Sequence, residues 1–306
     1  MKKWIVGLIL LVSQAEAKAC EICGCSGNGY HLGILPQFKK HFVGIRNTYR
    51  VFHSQHLISE ELYILGKRSV EYFNTTELWG RFQAGKKTQV FVLIPYNRFV
   101  QKEEGLPSQT VKGIGDITLL ANRVLLNKNS GKMDKWQQVL QAGGGVKLPS
   151  GKYRSYSGDD LNVNMNPGTG SLDVLLNMIY TLRHNHFGLN GEAGFRINTP
   201  NADDFRYGNR FTGGLRLFYW QNIGRAMKWS VLPNIGLLYD RANRDNHRGE
   251  KQNFSGGYAT QWVTGTELYA GKWTLGASWF HPFRQQLSNG LVKMKSQVTV
   301  NMAYVF

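Results

Sequence analysis

The last nine residues constrain the fold more than any other stretch. From Val298 the chain reads Val-Thr-Val-Asn-Met-Ala-Tyr-Val-Phe and stops at Phe306. Successive side chains of an extended strand point to opposite sides. Val298, Val300, Met302, Tyr304 and Phe306 therefore share one face, and the other carries small or polar groups apart from Val305. The same period of two recurs upstream. Phe187, Leu189, Ala193, Phe195 and Ile197 alternate with Asn190, Glu192, Gly194 and Arg196. Trp229, Val231, Ile235, Leu237 and Tyr239 alternate with Ser230, Asn234 and Asp240. Trp273, Leu275, Ala277 and Trp279 alternate with Thr274, Gly276 and Ser278, and Val43, Ile45, Tyr49 and Val51 oppose Gly44, Arg46, Thr48 and Arg50. This is the pattern of strands with one apolar and one polar face.

The N-terminus reads as an export signal. Lys2 and Lys3 precede nine apolar residues, Trp4 to Val12, too few to span a bilayer as a helix. Small residues at Ala15, Ala17 and Ala19 offer cleavage before Lys18 or before Cys20. The expected organisation is a signal peptide over 1–19, a Cys-rich segment over 20–40 that can plug the periplasmic mouth, and a β-domain over 41–306. No later stretch has the roughly 18 consecutive apolar residues of a spanning helix. A mature length of about 285 residues exceeds a simple sandwich but suits a closed sheet of about a dozen strands.

Alternation predicts strands near 41–52, 69–83, 88–99, 114–127, 136–148, 172–183, 187–199, 210–222, 228–241, 258–270, 273–283 and 291–306. Period alone does not separate a sandwich from a membrane barrel, but connector length does. The gaps at Ala84–Lys87, His184–His186, Ile223–Met227 and Gly271–Lys272 are short, with Lys128–Lys135 somewhat longer. The gaps at His53–Arg68, Val100–Gly113, Pro149–Ser171, Pro200–Asn209 and Ala242–Gly257 are long and polar. Short and long alternate, as periplasmic turns and external loops do in transmembrane barrels. An even strand number returns both termini to the periplasmic side. Aromatic residues bracket strands as an interfacial girdle would: Trp229 with Tyr239, Trp273 with Trp279, Phe211 with Tyr219, and the terminal Tyr304 and Phe306. The fold expected is all-β, a closed antiparallel transmembrane β-barrel of about 12 strands, in the bacterial outer membrane.

The net charge is +17 at pH 7. The basic residues are spread through turns, loops and polar faces, and export removes most nucleic-acid partners. Two readings stay open: contact with outer-membrane lipid and lipopolysaccharide, or a lumen field that favours anions. Arg46, Arg50, Asp116, Glu192, Arg196, Arg216 and Asp240 fall on the faces assigned to the lumen. Most are expected to pair across strands, with Arg46 and Arg50 as the permeation-lining pair. The loop holding Tyr153, Tyr156, Asp159, Asp160, Asn162 and Asn164 either folds inward as a constriction or stays solvated outside.

Three stretches resemble the outer-membrane transporter family of the phenol-degradation (MetA) pathway. They are Gly113-Ile-Gly-Asp-Ile-Thr-Leu119, Gly143-Gly-Gly-Val-Lys-Leu-Pro-Ser-Gly151 and Asn166-Pro-Gly-Thr-Gly-Ser171. The terminal strand likewise resembles those by which outer-membrane barrels close. The resemblance implies a barrel assembled by the barrel-assembly machinery and passive uptake of a small, hydrophobic compound. The glycines at 143–145 suit bending and close strand approach. A phosphate-cradling loop would need a following helix, which the sequence does not predict.

All three cysteines lie in Cys20-Glu-Ile-Cys23-Gly-Cys25. Three readings compete: Cu(I) or Zn(II) bound by the thiolates with His31 as a fourth ligand, a local Cys20–Cys23 disulfide, or lipidation of Cys20. His184 and His186 have metal-compatible spacing but sit in a turn, where solvation is the usual state. Barrel enzymes need a serine–histidine pair oriented by a third group. Ser278 with His281, and Ser171 with His184, make no convincing constellation, and no Gly-x-Ser-x-Gly turn is present. The expectation is a channel or transporter for a small solute that is not an enzyme and requires no cofactor. The alternatives are a copper-handling barrel and a structural barrel without transport.

Overall fold

The structure is a computed structural model that describes residues 41–59, 64–128, 136–154, 163–223 and 229–306. Twelve long antiparallel strands form the wall. They are β1 (Phe42–Ser59), β2 (Ile64–Ala84), β3 (Thr88–Glu103), β4 in two pieces (Gln109–Ile114 and Thr118–Lys128), β5 (Gln137–Lys147), β6 (Asp173–His184), β7 (Phe187–Ile197), β8 (Arg210–Tyr219), β9 (Trp229–Ala242), β10 (Gly257–Ala270), β11 (Trp273–Leu287) and β12 (Val292–Val305). Each pairs with its sequence neighbours. β1 also pairs with β12, from Phe42 opposite Val305 to Ser54 opposite Val292. The sheet is a sealed cylinder with no free edge.

Closure sorts the side chains. Val43, Ile45, Leu78, Leu176, Leu217, Ile235, Leu275, Val300 and Met302 point outward and are exposed. Apolar exposure on this scale around a closed sheet is a lipid-facing belt. Trp229 and Tyr239 lie ten residues apart on β9. At about 3.3 Å per residue that is about 33 Å, and a tilt of about 40° reduces it to about 25 Å, the height of such a belt. Trp273, Tyr304 and Phe306 join Trp229 at the lower edge, with Trp273 packed edge-on against Tyr304 at 5.1 Å. Trp279 also points outward and is 48% exposed. It lies only six residues above Trp273, so by the same geometry it sits about 15 Å up, within the belt and not at its edge. The reason is that β11 continues to Leu287, beyond the end expected near 283.

Two of the expected long loops are mostly strand: β1 and β2 run on past the membrane, and β3 and β4 are joined by Glu104–Ser108. β11 and β12, between which no long loop was expected, are joined by a single turn around Asn289. Pairing persists beyond the bilayer: β2 and β3 stay in register to Ser69 opposite Glu103, and β1 and β2 go on pairing past bulges at Gln55 and Leu57. On the opposite side the connections are tight. Asn185 and Gly271 each open a two-residue turn with φ of 53° and 60°, the left-handed geometry that matches strand twist.

The wall is not uniform inside. Phe42, Phe52, Phe73, Trp79, Phe91, Leu93 and Phe99 project inward from β1–β3 and are buried. The facing strands present Gly145, Gly194, Gly214, Gly236, Gly265 and Gly276 to the interior. Bulk on one arc is matched by the absence of side chains on the other. β4 and β5 approach so closely at Gly143 and Gly145 that a Cβ would lie 2.1 Å and 1.9 Å from the carbonyl oxygens of Ala121 and Leu119. That explains the glycine run and agrees with the close approach expected there.

Candidate functional site

The described parts of the connection from β5 to β6, residues 148–154 and 163–172, fold into the external mouth. Asn164, Met165, Asn166, Pro167 and Gly168 are buried. Met165 is 1% exposed and packs in a cluster with Phe52, Phe73, Phe99, Val111, Val292 and Met294, all inward residues of the wall. Asn97 on β3 donates to the Pro167 carbonyl at 2.8 Å and accepts from Thr75 at 2.9 Å. The described parts of the loop thus fold inward, as one of the two readings expected. Tyr153 and Asn164 lie in its described part. Tyr156, Asp159, Asp160 and Asn162 lie outside the described residues.

A buried ionic latch holds this loop. β4 breaks at Gly115–Ile117, where the Gly115 amide donates to Pro95 at 2.8 Å and Asp116 turns inward. Asp116 accepts from the Gly151 amide at 3.0 Å and from the amide and hydroxyl of Thr169 at 2.9 and 2.7 Å. Lys147 bridges Asp116 at 3.0 Å and Asp173 at 2.6 Å, with all three side chains at most 5% exposed. It also donates to the Thr169 hydroxyl. Asp173 accepts from Ser171 at 3.0 Å and the Thr199 amide at 3.1 Å. A Cβ on Gly151 would sit 2.7 Å from both Gly168 Cα and Asp116 Oδ1. The three motifs that carry the family resemblance therefore meet at one point, separated in sequence but joined by Asp116 and Lys147. Tyr153 extends the latch to the next loop, donating to Asp203 at 2.5 Å and accepting from Asn201 at 2.9 Å.

Below the mouth the inner wall is polar and paired. Arg46 donates to Glu77 through Nε at 3.0 Å and through a second nitrogen, and its guanidinium lies 4.8 Å from the Trp79 ring centre. It is not an uncompensated basic lining. Arg50 points inward four residues further up the same face and is 4% exposed. Arg210 bonds Asp240 at 2.9 Å, and Arg196 is its cross-strand neighbour. Arg216 is buried over the Phe280 ring at 5.6 Å. Glu192 projects inward opposite Gly214 and Ile179. All seven charged residues singled out from sequence are on the inside.

The registers place eight cations on the inner wall: Arg46, Arg50, Arg81, Lys147, Arg183, Arg196, Arg210 and Arg216. They place eight carboxylates there too: Glu71, Glu77, Glu103, Asp116, Asp173, Glu192, Asp240 and Glu267. With Lys67, which pairs with Glu103 at 3.9 Å, the lining is close to neutral, so most of the +17 of the chain lies elsewhere. Sequence reasoning missed the aromatic contribution, because the inward face of β2 and β3 was expected to be polar.

Other candidates do not come together. Ser278 faces in and His281 faces out. Ser171 belongs to the latch, whereas His184 faces outward and stacks on Trp136 at 4.7 Å. His186 bonds the Trp220 carbonyl through Nδ1 at 2.7 Å. Among the described residues no group of three or more His, Cys, Asp or Glu side chains is arranged to hold a metal ion. Cys20, Cys23, Cys25 and His31 lie outside the described residues.

No family profile and no curated protein matches the chain. Solved structures do. The COG4313 outer membrane channel from Pseudomonas putida F1 superposes with a TM-score of 0.64 at 16% identity, over 92% of this chain and 100% of that one. The β domain of the Bordetella autotransporter BrkA superposes with a TM-score of 0.50 at 12% identity, over 87% and 99%. At these identities the likeness establishes the fold. A sealed antiparallel barrel with an apolar outer belt, sharing its fold with outer-membrane barrels, is a bacterial outer-membrane protein.

Proposed function

We propose that this outer-membrane barrel is a passive channel for a small hydrophobic solute, with the 148–172 loop as its constriction. The supporting observation is the composition of the external mouth. An apolar cluster of four rings and chains, Phe52, Phe73, Phe99 and Met165, is built into the inside of a barrel whose lipid-facing belt already satisfies its hydrophobic surface. The cluster is sealed while the loop is seated, at 1–2% exposure, but drawing Met165 out would uncover an apolar entrance that suits an apolar solute better than a sugar or an inorganic anion. The balanced charges below it give no net field that would draw anions through. The similar Pseudomonas putida structure is described as an outer membrane channel, which favours permeation over catalysis, as does the separation of the serine–histidine pairs.

The test is permeation into liposomes that carry the folded protein. A monocyclic aromatic solute should cross faster than through protein-free vesicles, and a disaccharide should not. Equal rates for the aromatic with and without protein, or passage of the sugar alone, would refute the reading.

A further inference from the structure

The barrel's outer surface carries a second site. A cleft of about 1070 Å³ lies between the loops following β7, β9 and β11, on the lipid side of the wall. Its floor is two rows of outward side chains across three strands. Arg241, Tyr258 and Gln286 form the upper row, and Tyr239, Thr260 and Arg284 the lower one. Its walls come from the loops after β7 and β9, which are stapled together: Phe205–Arg206 pairs with Asn246–His247, and the Gly208 amide donates to Asp245 at 2.7 Å. Arg206, Arg244 and Lys251 line these walls.

Five cations thus converge on one cleft, and no carboxylate lines it. None of the five belongs to an ion pair among the described residues. The segregation extends further, since every Asp and Glu on the twelve wall strands points inward. A soluble surface has no reason to expel carboxylates from one face. A face that meets phosphate does, because like charge there would repel the ligand. The depth is also specific. Tyr239 marks the upper edge of the apolar belt and lies 6.3 Å from Tyr258, so the cleft opens at the level of the outer-leaflet headgroups.

We propose that this cleft binds the phosphorylated headgroup of lipopolysaccharide, with Arg241 and Arg284 gripping its phosphates from the barrel wall and Arg206, Arg244 and Lys251 closing over it. Arginine suits the task because its fork donates two bonds to one phosphate. The tyrosines face the sugar–acyl boundary, where an aromatic ring with a polar tip is favoured.

The test uses the full folded protein in detergent, titrated with lipopolysaccharide, with lipid A stripped of its phosphates, and with inorganic phosphate. The variants are Arg241→Gln/Arg284→Gln and, as a control, Arg98→Gln/Lys112→Gln, which removes two outward cations on β3 and β4 away from the cleft. Heat-modifiable migration on a denaturing gel confirms that each variant is folded. Loss of two charge-assisted bonds should weaken lipopolysaccharide binding at least about tenfold in the first variant, against less than about twofold for exposed charges in the control. The stripped lipid should bind the native protein as weakly as the first variant binds lipopolysaccharide. Equal weakening by both variants would overturn the site in favour of diffuse charge. Undiminished binding of the stripped lipid, or displacement by inorganic phosphate at equal phosphate concentration, would overturn the lipid assignment.

Discussion

Lys147→Met tests the latch most severely. The ammonium it removes is the shared partner of Asp116 and Asp173, at 3.0 and 2.6 Å, and the three side chains are at most 5% exposed. Methionine keeps the length and apolar stem but leaves two carboxylates facing each other in a buried space. Removing one member of a buried ion pair costs about 3–5 kcal/mol, because the remaining charge is uncompensated. Asp116→Asn is milder. Lys147 retains Asp173, and the asparagine oxygen can still accept an amide, so about one charge-assisted bond is lost, roughly 1.5–3 kcal/mol. In the double variant the stranded Asp116 charge is gone as well. Its cost should fall short of the sum of the singles by more than the roughly 0.5 kcal/mol within which independent sites add.

The latch fixes the loop through Gly151 and Thr169 and need not hold the barrel. Both readouts are therefore required. Denaturant titration, followed by the migration of unboiled samples on gels, gives the stability series. Single-channel recording in planar bilayers gives the opening. Lys147→Met should raise the mean conductance, with Asp116→Asn intermediate. Strictly additive costs, or a conductance unchanged while stability falls, would refute the claim that these residues hold the constriction.

Further outcomes follow from the same geometry. Met165→Ala empties a site that is 1% exposed. It should weaken the loop's anchorage by about 2–5 kcal/mol and admit sugars that the native protein excludes, which liposome swelling would register. Ile235→Arg places a charge near the middle of the belt, at a position 51% exposed to lipid. It should cost about 2–4 kcal/mol by unfolding titration in bilayers, and a neutral result would mean that this face does not meet hydrocarbon. Arg46→Gln strands the Glu77 carboxylate, whereas Glu77→Gln strands the Arg46 cation. The reversal potential in a salt gradient should move toward cation preference in the first and anion preference in the second, and shifts of one sign in both would exclude Arg46 from the permeation path.

Much of the wall was legible because one face meets lipid, where a period of two cannot be masked. Leu189 to Ile197, Trp229 to Tyr239 and Val298 to Phe306 could be read directly as strands, and their polar alternates Arg196, Glu192 and Asp240 were placed correctly on the inside. β3 was harder. Phe91, Leu93 and Phe99 point inward while Val90, Val92 and Ile94 point outward, so both faces are apolar and the run loses its period. Loop lengths were overestimated for a related reason: β1–β2 and β3–β4 continue beyond the bilayer in water, where the residues are polar but the pairing persists. The latch was half visible. The Gly-x-Gly-Asp and Leu-Pro-Ser-Gly stretches stood out, but their convergence on Lys147 depends on a strand break at Gly115 that no local pattern signals. The cationic cleft was invisible, since Arg206, Arg241 and Arg284 come from three separate hairpins.

The central claim is that solute passes through the inside of this cylinder. Thiol blocking at adjacent positions tests it most directly, in a protein whose Cys20, Cys23 and Cys25 have been changed to Ser. Thr299 faces the interior, 3.1 Å from Thr48 across the β1–β12 seam, and Val300 faces lipid. A charged thiol reagent added from water should reduce the current of Thr299→Cys stepwise and leave Val300→Cys unchanged. Current that persists after Thr299→Cys is modified, or an equal block at both positions, would contradict a permeation path through the lumen.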